Sequence, residues 1–365
     1  MLGVAVMAPQ LRREYDLSLG QTGLLISASL VGSLVSLIPW GLATDIVGER
    51  IVLFVGLTGC GVALLGASQV HEFWELFALL AVAGGVGASI QSASGRAVMH
   101  WFPPSQRGFA LGVRQTAIPL SGFAVAVALP PIVAAGGTGW GFATLGIACL
   151  AGAVVGGLVL RRSESHSQSE IDSRVSVEAP PLRDRRLWRL SIGSGLVIGP
   201  QLCVGSFTVV FLEEHRNFTT GAAAAVLAVT QLLAIGGRIG AGRWSDARGS
   251  RVGPLRDIAL GASAFVALTA ALVGAPLVFL VPVMIVAGVL SMSWNGLSFA
   301  AAAELAGHSR SGVAIGMQQT LLNVPAVAYP SLFGVLVAAS SWSAAIFAVA
   351  LLPLAGWQVL RPLTQ

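Results

Sequence analysis

Gly41-Leu-Ala-Thr-Asp45-Ile-Val-Gly48-Glu-Arg50 returns 201 residues downstream as Gly242-Arg-Trp-Ser-Asp246-Ala-Arg-Gly249-Ser-Arg251. Gly, Asp, Gly and Arg recur at the same four relative positions, and each copy stands where one long apolar run ends and the next begins. A tight charged elbow between two hydrophobic helices, present twice, makes the chain two copies of one design. The correspondence extends outward. Asp16-Leu-Ser18-Leu-Gly20 pairs with Asn217-Phe-Thr219-Thr-Gly221, and each reads as an N-cap-like start of the next helix. Gly108-Phe-Ala110-Leu-Gly112-Val-Arg114-Gln115-Thr116 pairs with Gly312-Val-Ala314-Ile-Gly316-Met-Gln318-Gln319-Thr320 at an offset of 204. Both copies run in the same direction, so the duplication is a parallel one, related by an axis along the membrane normal.

Hydrophobic residues make up 55% of the chain, charged residues 10%, and the mean hydropathy is +0.80. A soluble domain has roughly 45–50% apolar and 25% charged residues, so an integral membrane protein is expected. A membrane-crossing helix needs about 20 mostly apolar residues. Such runs lie near 21–44, 51–70, 73–100, 106–134, 139–160, 188–212, 219–243, 254–275, 277–304, 311–338 and 342–361, which gives eleven complete spans and an N-terminal stub. Gly, Ala and Ser inside the runs suit close helix packing in lipid. The ten-residue alternation of a membrane β-barrel is not seen. The fold class expected is therefore all-α, with an N-terminal bundle at 1–160, a linker at 161–187 and a C-terminal six-helix bundle at 188–365.

Every one of the 21 basic residues is Arg. If the loops after the stub and near 70, 136, 215, 275 and 340 face outward, only Arg12, Arg13 and Arg216 lie outside and 18 remain within. The excess of basic residues marks the cytoplasmic side, so the elbows, the linker and the C-terminus are expected there. The net charge of +5 is thus an orientation signal and gives no support to nucleic-acid binding. The linker, with Arg-Arg-Ser-Glu-Ser-His at 161–166 and Pro180-Pro181, has too few apolar residues for a core. Its arginines suit contact with anionic lipid. Cys60, Cys149 and Cys203 fall inside spans without metal-like spacing and read as small apolar residues.

The repeat also measures the N-terminus. By the 201 offset Met1 corresponds to Leu202, whereas the seventh span begins near Trp188, so the first helix reads as truncated, with Met1–Ala8 before Pro9 as its remnant. A misassigned start codon or a shortened chain is the expectation. A cleaved signal peptide is disfavoured, because no basic segment precedes the stub.

Six plus six spans, a mid-chain linker and a Gly-x-x-x-Asp-x-x-Gly-x-Arg elbow after spans 2 and 8 together resemble the major facilitator superfamily, over the whole chain. The resemblance implies secondary active transport of a small solute by alternating access, in the plasma membrane of a bacterium (its inner membrane), with a coupling proton or ion as a further partner and a monomeric state. In the family the elbow aspartates face a helix N-terminus of the opposite half. Carried over, Asp45 would approach Ser311-Gly312, and Asp246 would approach Gln106 to Gly108. By the same resemblance these would be latches that close the cytoplasmic side, with Gly41 and Gly242 allowing close packing, Gly48 and Gly249 turning the chain, and Arg50 and Arg251 completing the motif. The family's frequent basic residue early in span 4 is absent here, where Leu79-Leu80-Ala81-Val82 stand, and the antiporter-type signature of span 5 is only partly present in Ile118-Pro119-Leu-Ser-Gly122.

Arg114 lies about two turns inside span 5, where an Arg costs around 2.5–3.5 kcal/mol on insertion scales. Two readings stay open for it: an anion-binding or gating group, and a structural bond to carbonyls or a cytoplasmic acid. Arg238 resembles an arginine that some monocarboxylate-transporting members use on their substrate, although Ala234 stands where those members have an acid. Snorkelling to the surface is its other reading, shared by Arg96. Gln91, Gln201, Trp294 and Asn295 lie in spans 4, 7 and 10, which line the family's central cavity. They are candidates to orient a solute or cover its apolar part, or to bond between helices. No carboxylate or His falls at mid-membrane. A small organic or inorganic anion is the favoured cargo. Efflux of apolar drugs, a membrane sensor on the same fold and a truncated, non-functional product are the alternatives. Enzymatic activity, a metal and a cofactor find no supporting pattern.

Overall fold

In the computed structural model, residues 2–17, 19–159, 181–307 and 310–363 are described. Most of the expected linker, at 160–180, lies outside the described residues. Fourteen α-helices are present among the described residues: α1 (Leu2–Glu14), α2 (Leu19–Val47), α3 (Glu49–Ala67), α4 (Phe73–Gly87), α5 (Ser89–Trp101), α6 (Arg107–Gln115), α7 (Ala117–Val159), α8 (Arg185–Arg216), α9 (Thr220–Arg248), α10 (Val252–Ala271), α11 (Leu277–Met292), α12 (Asn295–Ala306), α13 (Ser311–Ala339) and α14 (Trp342–Leu360). Among the described residues, ten helical stretches are long and apolar enough to cross a membrane. One of them, Pro104–Val159, holds two spans, because Gly136 and Gly137 leave helical geometry, the latter at φ 77°.

Several elements differ from the sequence reading. The N-terminal helix does not stop before Pro9 but continues to Glu14. Proline deletes one intrahelical bond, but packing outweighs that loss. Val4, Met7 and Leu11 are buried against Leu129, Val133 and Phe142 of α7 and Leu25, Leu76 and Leu80 of α2 and α4. The single runs expected at 73–100 and 277–304 are each two helices, interrupted at Ala88 and at Ser293-Trp294. The interruptions fall at matching places in the two repeats. The first residues of the two segments expected to start helices, Asp16 and Asn217, have positive φ, 49° and 55°, a conformation that Asp and Asn tolerate best among side-chain-bearing residues, and Asn217 caps the C-terminus of α8. The N-cap of α9 is Thr219, whose hydroxyl accepts from the Ala222 amide at 3.3 Å.

The helices gather into two compact units. The first comprises Met1–His100, Ala117–Pro181 and Ala306–Thr320. The second comprises Trp101–Thr116, Leu182–Leu305 and Leu321–Gln365. Each unit thus contains the start of the fifth span of the other repeat. Small residues bring backbones together inside each. A methyl group on Gly84 of α4 would stand 2.6 Å from the Ser29 carbonyl carbon of α2, and one on Gly356 of α14 would stand 2.8 Å from the Gly193 oxygen of α8. Large apolar side chains face outward, among them Val35, Phe123, Leu158, Leu232 and Val335. Water would penalise such a surface, whereas acyl chains cover it at no cost.

Candidate functional site

The elbow of the first repeat closes on backbone amides. Asp45 sits in the last turn of α2, and its carboxylate caps the first turn of α13 within the first unit. Oδ1 accepts from the Gly312 amide and Oδ2 from the Val313 amide, both at 2.9 Å. The first amides of a helix have no intrahelical acceptor, and the positive end of the helix dipole favours an anion there. Only small residues permit the approach. A methyl group on Gly41 would meet the Gly312 oxygen at 2.6 Å, and one on Gly312 would meet Asp45 Oδ1 at 2.7 Å. Gly48, at φ 87°, turns the chain into α3.

The second repeat builds the same cap inside the second unit. Asp246 of α9 accepts from the Gly108 amide at 3.0 Å and the Phe109 amide at 2.8 Å, at the start of α6. A methyl group on Gly242 would stand 2.6 Å from the Gly108 carbonyl carbon. Gly249, at φ 61°, is the left-handed cap that ends α9.

The cations behind the two carboxylates come from different places. Arg251, the motif arginine of the second copy, is buried and bonds Asp246 Oδ1 at 2.5 Å, Glu304 Oε1 at 3.0 Å, Ser245 Oγ at 3.0 Å and the Pro104 carbonyl. Arg50, its counterpart, is exposed and takes no part in the first cap. There the cation is Arg96 of α5, 8% exposed, which donates to the Thr44 carbonyl and lies 3.5 Å from Asp45 and 3.8 Å from the buried Glu49. His100 stands 3.7 Å from Glu49. Arg96 therefore does not reach for the surface, and Glu49, His100 and Glu304 join clusters that the motif alone does not reveal. The available signal was helical spacing. Arg96 and His100 are four residues apart on α5 and so share a face, at the depth of Asp45 and Glu49.

A second gathering of candidates lies in the second unit, where two spans are broken. Arg238 of α9, 4% exposed, donates from Nε to the Met292 carbonyl at 2.9 Å and from a terminal nitrogen to the Gln115 carbonyl at 2.8 Å. Met292 ends α11 and Gln115 ends α6, so both carbonyls belong to the set that a helix terminus leaves unsatisfied. The snorkelling reading of Arg238 fails, because the guanidinium is held between helices. Trp294 is fully buried and donates its indole N–H to the Ser291 carbonyl at 2.9 Å. It plugs the break in span 10 and is not placed to cover a solute here. Asn295 is buried with Oδ1 unpaired among the described residues, and the Oε1 of Gln201 on α8 is in the same position. Arg114 is half-buried, bonds the Gln115 side chain at 3.2 Å and lies 5.8 Å from the Phe299 ring centre. Its counterpart Gln318 is fully buried in the first unit. Gln91, half-buried on α5, belongs to the first unit.

The sequence model of the Major Facilitator Superfamily matches residues 1–330. An uncharacterized MFS-type transporter of Mycobacterium tuberculosis (strain CDC 1551 / Oshkosh) is 35% identical over 365 residues, covering 99% of this chain and 82% of the relative. The chain belongs to the major facilitator superfamily. It is a multi-pass membrane protein of a transporter family, with an all-α fold. A probable sulfoacetate transporter of Cupriavidus necator is 29% identical over 366 residues, covering 92% of this chain and 83% of that protein. Among solved superfamily structures, the Escherichia coli fucose:proton symporter FucP matches with a TM-score of 0.72 at 17% identity, over 100% of this chain and 97% of the other. The proton:xylose symporter XylE matches with a TM-score of 0.74 at 15% identity, over 100% and 92%. These two similarities concern the fold.

Proposed function

We propose that the protein is a secondary active transporter of a small organic anion in a bacterial plasma membrane, working by alternating access, with the elbows, linker and C-terminus cytoplasmic. The observation that carries the anion reading is Arg114. A fixed positive charge stands part-way into a membrane span, in a repeat position where the other copy has a neutral Gln, so neither fold nor symmetry demands it. Relatives support the same class: beside the probable sulfoacetate transporter, a hexuronate transporter of Bacillus subtilis is 28% identical over 120 residues. Sulfoacetate and hexuronates are carboxylates or sulfonates, which a guanidinium holds with paired hydrogen bonds. Gln91, Gln201 and Asn295 would supply further polar contacts, and Arg238 would position the broken ends of spans 5 and 10 without meeting the solute.

The carboxylate caps on α13 and α6 would be the cytoplasmic latches, made while that side is closed and released when it opens. Glu49, His100 and Glu304 tune them. Coupling to a proton would rest on the solute itself or on groups at the latches.

Counterflow in proteoliposomes with labelled short carboxylates and sulfonates tests the reading. The parent protein exchanges at least one of them, and Arg114→Gln loses most of that exchange. Exchange unchanged in Arg114→Gln, or transport confined to apolar cations, would overturn the anion assignment in favour of drug efflux.

A further inference from the structure

At the elbow end of the second unit lies a cavity of about 620 Å³ that the transport reading does not use. It falls within the roughly 300–1,000 Å³ typical of small-ligand sites. Arg185, Arg186 and Arg189, on the first turns of α8, line it together with Trp188. Arg186 is engaged by Asp184 at 3.1 Å. Arg185 and Arg189 form no ion pair among the described residues. The lining also includes apolar side chains: Ile192, one turn beyond Arg189 on α8, Leu305 of α12 and Leu363 beyond α14. Trp188 is anchored by its indole N–H on the Leu182 carbonyl at 2.9 Å, and its ring is partly exposed.

The basic rim continues along the same end of the unit. Arg256, one turn into α10, and Arg361, at the end of α14, both lie over the Trp357 ring, at 5.4 and 5.9 Å. The Nε of Arg256 is buried without a hydrogen-bond partner among the described residues. Two guanidinium groups without an ion pair, apolar side chains in the same cavity and a Trp in the first turn of a span, where aromatic rings favour the bilayer interface, match one chemistry: a phosphate that carries acyl chains. A soluble anion would use the arginines alone and gain nothing from Ile192, Leu305 and Leu363.

We infer that this cavity is a binding site for the phosphodiester headgroup of an anionic phospholipid, held by Arg185 and Arg189, with its glycerol and upper acyl chain against the apolar side chains. The site joins the ends of spans 7, 9, 10 and 12, so its lipid is a structural partner of the second unit.

Native mass spectrometry of the full chain released from bilayers of mixed phosphatidylglycerol and phosphatidylcholine tests it. The parent retains phosphatidylglycerol in preference. Arg185→Gln/Arg189→Gln lowers that preference roughly thirtyfold, the loss expected for two interfacial arginines. Arg185→Lys/Arg189→Lys keeps most of the preference, and Arg243→Gln/Arg248→Gln, which removes two arginines elsewhere on the same end, keeps all of it. Unchanged melting of each variant in phosphatidylcholine separates loss of the site from loss of the fold. Equal retention of both lipids by the parent, or an undiminished preference in the double Gln variant, would overturn the inference. In a second arm, millimolar inorganic phosphate is added to delipidated protein. If it displaces residual lipid and stabilises the protein as well as phosphatidylglycerol does, the site belongs to a soluble anion and the lipid assignment fails.

Discussion

Replacing Asp45 by Asn isolates the proposed latch, because it changes charge and one acceptor while leaving volume almost constant. In the parent both carboxylate oxygens accept, from the consecutive amides of Gly312 and Val313 at 2.9 Å each. Asn offers one oxygen and presents an N–H2 to the amide that the other oxygen served. The loss is one charge-assisted bond of about 1.5–3 kcal/mol and a charge–dipole attraction of about 0.3–1 kcal/mol. A neutral bond of about 0.5–1.5 kcal/mol survives. Arg96 keeps Glu49 as a partner at 3.8 Å, so its charge is not stranded. The net is about 2–4 kcal/mol, and with 1.4 kcal/mol per factor of ten the ratio of latched to open protein falls about 30- to 700-fold. A cysteine at Ser311, which is fully buried beside the cap, reports the opening once Cys60, Cys149 and Cys203 have been replaced. Its labelling rate by a membrane-impermeant maleimide in inside-out vesicles follows the open fraction. We expect that rate to rise by the factor given, until opening saturates. A labelling rate unchanged by Asp45→Asn would refute the argument that this cap holds the cytoplasmic side closed.

Further outcomes follow from the same geometry. Arg251→Gln strands Asp246 and Glu304 in a buried cluster, at a cost of about 3–5 kcal/mol, whereas Arg50→Gln removes an exposed side chain and stays within about 0.5 kcal/mol. Melting curves of the two variants in detergent should separate clearly, and equal melting points would contradict the asymmetry. Arg238→Met leaves the Gln115 and Met292 carbonyls without their donor, about 1–3 kcal/mol for each buried acceptor. It should lower thermal stability as well as transport, while a solute-only role would affect transport alone. Gly84→Val forces a side chain into the Ser29 backbone and should abolish folded, monodisperse protein. Gly236→Ala, at a helix position with nothing within 4 Å, should instead stabilise by about 0.5–1 kcal/mol, which scanning calorimetry or fluorescence melting will show.

The architecture was legible because membrane helices must satisfy their backbone internally, so each span is written as an uninterrupted apolar run. The duplicated elbow then carried the two-fold repeat and the equivalence of Arg114 with Gln318, while the family resemblance implied the helix starts that Asp45 and Asp246 cap. Other features could not be read that way. The breaks at Ala88 and Ser293-Trp294 leave hydropathy unchanged, so composition is blind to them. Whether a buried arginine meets a solute or a carbonyl depends on which helix ends lie within its reach; only tertiary packing brings Met292 and Gln115 to Arg238. The same holds for the cations behind the two carboxylate caps. Motif symmetry makes Arg50 and Arg251 equal, but the first site takes its positive charge from Arg96 on another helix, and Arg50 is left in the open. Local sequence determined where the helices run and where the chain turns, since those depend on transfer free energy and on glycine backbone freedom. Which charges pair was decided by the three-dimensional approach of helices distant in the chain, because an ion pair is set by a few ångströms of separation that no linear spacing records.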